Sequence, residues 1–126
     1  MKTLILSLVL LLSISSKAQG PIDYQLYDSL KHELAKEKND SNRIFIMFSI
    51  SETFSNPDST LYWINQAREL AEKTKNTDGE MAYYIYASDI YRNMGNYIKA
   101  LQILYQLVNK GNILLNKGLY ILIFQK

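Results

Sequence analysis

The feature that most constrains this 126-residue chain is a pattern that occurs twice. In the more regular copy, Tyr84, Ala87, Ser88 and Tyr91 are followed by Gly95, Tyr97, Ala100, Leu104 and Leu107. A weaker copy runs from Ile44 to about Lys75. There Met47, Ile50, Ser51 and Phe54 stand where Tyr84, Ala87, Ser88 and Tyr91 do, and Thr60, Leu61, Ile64 and Ala67 parallel Ala100, Leu101, Leu104 and Leu107. Thr60 and Ala100 lie 40 residues apart. Self-similarity at such a period is the mark of stacked supersecondary units, each hiding its apolar face against its neighbours.

The units are helical. Ile22, Leu26, Leu30 and Leu34 recur every four residues, with Tyr27 alongside and charges opposite, which predicts a helix from Asp23 to about Lys38. The cluster Asn39-Asp40-Ser41-Asn42 offers a turn and N-caps. A second helix is expected from about Ser41 to Phe54. Its apolar content, Ile44 to Phe48 with Ile50 and Phe54, is too broad for one stripe, and a strand over 44–50 is the alternative; length and flanking helices favour the helix. Ser55-Asn56-Pro57-Asp58 breaks it, with Pro57 suited to the first turn of a third helix running to Thr74. Thr77 and Glu80 have capping-box spacing for a fourth helix ending near Met94. Gly95 can take the left-handed conformation that closes it, and Gly111 is expected to close a fifth helix, Tyr97–Lys110, in the same way. Pro and Gly number only 2 and 5, which disfavours a loop-rich chain. The expected fold is all-α: about five antiparallel helices stacked as a short solenoid.

The second copy resembles a tetratricopeptide repeat. That family's pattern has a bulky aromatic at Tyr84, a small residue at Ser88 and tyrosine at Tyr91, then glycine, aromatic and alanine where Gly95, Tyr97 and Ala100 stand. Ser-Asn-Pro-Asp replaces the glycine turn in the first copy. Leu107 is larger than the alanine the pattern has, and the closing proline is missing from both copies. The layout also resembles the N-terminal sensory part of exported signalling proteins of the Bacteroidetes type, in which repeats marked by an Asn-Pro-Asp-Ser turn precede a membrane helix and a histidine-kinase or DNA-binding output. The resemblance implies that the first helix of each pair lines a concave groove for a peptide or protein segment. Its residues would be Phe45, Phe48 and Glu52 from the first copy, and Ile85, Asp89, Arg92 and Asn93 from the second.

Met1-Lys2-Thr3, the 11-residue apolar run Leu4–Ile14 and Ser16-Lys17-Ala18 make a three-part secretory signal, with a cut before Gln19. The run is too short for the ~20 residues of a membrane span. The expected organisation is therefore a signal peptide over 1–18, a leading amphipathic helix within 19–40, two helix pairs over 41–111, and an atypical, truncated tail over 112–126. The compartment expected is periplasmic, or membrane-associated through a further segment.

Few chemistries remain. Of 14 basic and 12 acidic side chains, Lys2 and Lys17 fall in the signal, so the rest balances to zero and gives no basic stripe for nucleic acid. There is no cysteine, and the single histidine, His32, has no ligand cluster, so neither metal nor cofactor is expected. No triad or phosphate loop is visible, and no small-molecule substrate is evident. The tyrosines Tyr83, Tyr84, Tyr86, Tyr91, Tyr97 and Tyr105 read mainly as repeat core, with a ligand groove as the alternative. The function expected is a protein-binding module, not an enzyme. The alternative is the sensory fragment of a two-component signalling protein. With two copies and one leading helix, the fold is expected to self-associate or to need further repeats.

Overall fold

The computed structural model describes the backbone of residues 20–124 and the side chains of residues 20–113. The proposed signal over 1–18, with its cut before Gln19, lies outside the described residues. Five helices follow in order: α1 (Tyr24–Lys36), α2 (Asp40–Ser51), α3 (Pro57–Thr74), α4 (Thr77–Asn93) and α5 (Tyr97–Phe124). There is no strand among the described residues, and Ile44–Ile50 is helical. Links of two to five residues join helices that pack on one another in sequence, so neighbours run antiparallel.

An Asp or Asn side chain begins every helix. Asp23, Asn39, Asn56, Asn76 and Asn96 accept the backbone N–H of Leu26, Asn42, Ser59, Gly79 and Lys99, at 2.9, 3.0, 3.1, 2.9 and 3.2 Å. Each satisfies one of the donors a helix start leaves free. The Thr77–Glu80 capping box does not form. Asn76 caps instead, because its amide offers both an acceptor and a donor: Oδ1 takes Gly79 N–H while Nδ2 donates to Ser41 Oγ at 3.1 Å, tying the turn to α2. Glu80 pairs with Lys110 across the α4–α5 seam.

α3 and α4 end alike. Asn76 N–H bonds Ala71 O at 2.8 Å around Lys75, and Asn96 N–H bonds Tyr91 O at 2.8 Å around Gly95. The central residues are left-handed, Lys75 at φ 54 and Gly95 at φ 77. Gly111 closes nothing. α5 runs through it and through Gly118 to Phe124, because a glycine permits a turn without compelling one and the helix is still packed on α4 there, Lys110 on Glu80 and Gly111 beside Met81.

The core is Ile44, Met47, Phe48, Ile64, Ala67, Ala71, Ala87 and Ile103. α2 explains its own composition. It packs on α1, α3 and also α4, so it buries Ile44, Ile46, Met47, Phe48, Ile50 and Ser51 around most of its circumference. α1 buries less than its stripe predicts. Ile22 and Leu26 are exposed, and only Leu34 reaches the core cluster. The two copies match in burial. Ile50 and Ala87 are fully buried, and Ser51 and Ser88 are buried with each hydroxyl donating to its own helix, to Phe48 O and Ile85 O. Both serines thus bury their hydroxyls with the polar group satisfied inside the helix.

Candidate functional site

α2 and α4 are the first helices of the two pairs, and they touch. Phe48 stacks on Tyr86 with ring centroids 4.9 Å apart and planes 17° from parallel. The Tyr86 hydroxyl donates to Glu52 Oε1 at 2.7 Å. Phe45 stands 6.5 Å from Phe48. An aromatic run thus crosses from one helix to the next, closed by a carboxylate. Burial, together with the hydrogen bond to Glu52 and its negative charge, pushes the Tyr86 phenol up to about 12.

The groove residues expected from sequence divide into three groups. Phe45 and Ile85 are 47% and 53% exposed, large apolar side chains open to solvent on α2 and α4. Glu52, Asp89 and Arg92 are also exposed; Asp89 and Arg92 form a surface pair at 3.1 Å, one turn apart. Phe48 is a correction. Its ring is buried between the helices and offers a ligand no side-chain surface, because α4 lies across it. Asn93 is exposed at the end of α4, one turn beyond Asp89. With Phe54, Ser55, Pro57, Thr60, Ile90 and Met94 it lines a cavity of about 450 Å³ between the Ser55–Pro57 turn and the end of α4.

The groove set implied by the family pattern leaves out Tyr86, one of the tyrosines that the sequence reads mainly as core. In the register of the two copies, Ser51 with Ser88, Glu52 corresponds to Asp89, so no repeat spacing points to its contact with Tyr86. The other tyrosines divide as well. Tyr83 and Tyr84 meet edge to face at 5.4 Å, with the Arg68 guanidinium 4.5 Å from the Tyr83 centroid. Tyr91 is half-buried, with Lys99 6.0 Å from its ring. Tyr97 and Tyr105 are not core; they are exposed, because α5 packs on α4 alone.

Among the described residues no three His, Cys, Asp or Glu side chains cluster as metal ligands, and His32 is exposed. No helix among them is long and apolar enough to cross a membrane. Comparison with protein-family models, curated proteins and solved structures gives no match to this chain. Fold and site together define a class: an all-helical chain of sequentially packed helices, in which α2 and α4 meet at the Phe48–Tyr86 stack.

Proposed function

We propose that this chain is a protein-binding module of the tetratricopeptide type, taking a peptide or protein segment across the outward face of α2 and α4. The observation that carries this reading is the Phe48–Tyr86–Glu52 junction. It joins the first helices of the two pairs, each of which carries an exposed apolar side chain next in sequence or one turn away, Phe45 on α2 and Ile85 on α4. Exposed apolar anchors flanked by Glu52, Asp89 and Arg92 supply the mix of burial and polar pairing that peptide recognition uses. The N-terminal pattern adds export to the proposal, with binding in the periplasm.

The test is selection of binding segments from a displayed random-peptide library on the full chain. Selected peptides should bind Phe45→Lys and Ile85→Lys variants at least roughly tenfold more weakly, a loss of ~1.4 kcal/mol. Tyr62→Lys, on the exposed side of α3, should bind as the parent does. Peptides that bind all three variants equally, or a library that yields no binder, would remove this face as the site.

A further inference from the structure

α5 has two apolar faces, and the chain uses only one. Ala100 and Ile103 are buried against the rest of the fold, Leu107 is half-buried, and a Cβ at Gly111 would meet Met81 Cε at 3.8 Å. Away from that side, Ile98, Leu101, Tyr105 and Val108 are 74%, 66%, 68% and 58% exposed, and Asn112 is exposed too. These five alternate at spacings of three and four residues. In the sequence the same alternation continues through Leu115, Leu119 and Leu122. The 28 residues of α5 amount to four heptads. A sustained spacing of 3.5 is the seam of a left-handed coiled coil, whereas a stripe following the natural 3.6 of a straight helix drifts off it.

Three observations choose what covers this face. The spacing fits another helix along its full length. Asn112 stands at a first-in-heptad position near the middle of the seam, where an isolated asparagine is tolerated if it meets its own copy in a parallel, in-register partner. The residues on and beside the seam from Tyr97 to Asn112, including Gln102, Leu104, Asn109 and Gly111, carry no charge, so two identical copies meet without repulsion. The backbone adds a fourth point. Glu80 pairs with Lys110, and Met81 lies against Gly111, so α5 passes the start of α4 near residue 114. The remaining stretch to Phe124 extends beyond it by about 15 Å, and a short helix alone in water is marginal.

We propose that α5 is one strand of a parallel two-stranded coiled coil formed with a second copy of this chain. Ile98, Tyr105 and Asn112 occupy the first position of successive heptads, and Leu101 and Val108 the fourth. This stands independently of the peptide-binding reading, which concerns α2 and α4.

The experiment is sedimentation equilibrium of the full chain at high micromolar concentration, beside Leu101→Lys, Tyr105→Lys and Ile98→Cys. The parent should have twice the mass of one chain. Each lysine variant should fall to a single-chain mass with its helical circular dichroism retained, since both positions face away from α4; the two together guard against a local folding defect. Ile98→Cys, carrying the chain's only cysteine, should oxidise to a linked dimer, because a parallel register sets the two copies of this position face to face. A single-chain or higher-than-dimer mass for the parent, lysine variants that keep the parent's mass, or an Ile98→Cys dimer that stays unlinked would each overturn it.

Discussion

Lys75 and Gly95 occupy the same left-handed position at the ends of α3 and α4, yet only one is a glycine. An L side chain in that conformation costs ~1 kcal/mol or more relative to glycine. The cost at Lys75 is tolerated because the Asn76–Ala71 bond and the Asn76–Ser41 bond hold the turn from both sides. Lys75→Gly should therefore raise stability by up to ~1 kcal/mol. Gly95→Val should lower it by more than ~1 kcal/mol, although no atom lies within 4 Å of the added Cβ, because the strain there is backbone alone. Urea midpoints of the two variants check the pair, and equal midpoints would show the turns to be differently built.

Between elements, the α2–α4 junction is the contact with a pH signature. Tyr86 holds its proton to about 12, above the ~10 of a free phenol. The folded chain binds that proton more tightly than the unfolded one. Its contribution to stability is whole below pH ~10 and is lost as pH rises from there to about 12. Tyr86→Phe keeps the stack on Phe48 and removes both the late-ionising phenol and that part of the alkaline loss. Ultraviolet titration of the native chain should show one tyrosine lagging the rest, absent in the variant; tyrosines that all ionise together would break the assignment. A second link between elements acts at the acid end. The carboxylate of Glu37 accepts Asn39 N–H and the Asn42 amide, and these bonds hold its pKa below the ordinary value while joining α1 to the start of α2.

Across the whole molecule, coverage is uneven. α2 and α3 are enclosed on several sides and supply most of the buried residues, whereas α1 buries none fully and α5 turns an apolar face outward. Fully burying one leucine-sized side chain is worth ~1.5–3 kcal/mol, so the α5 face represents a gain comparable with a small domain's net stability. Mass spectrometry of the protein from its native host should give a mature start at Gln19, and an intact Met1 would refute the export reading.

Helix by helix, the sequence alone determined the all-α architecture, its order and most of its starts. These depend on local physics: four-residue apolar spacing, Asn56 before Pro57, Gly95 between two patterned runs. The aromatic and small positions of the two copies were legible for the same reason. What tertiary structure decided lay where several elements meet. Gly79, in the first turn of α4, is buried, and a Cβ there would stand 2.9 Å from Ile44 Cγ2 and 3.0 Å from Ala71 Cβ. Asn76 displaced Thr77 as a cap because Ser41 of another helix lay within reach. Phe48 went inward and Phe45 stayed out because α4 crosses α2 at one and not the other. α5 ignored its glycine at 111 because the α4 seam continued past it. Local preferences are worth ~1 kcal/mol or less, so burial against a neighbour overrules them wherever a neighbour is present.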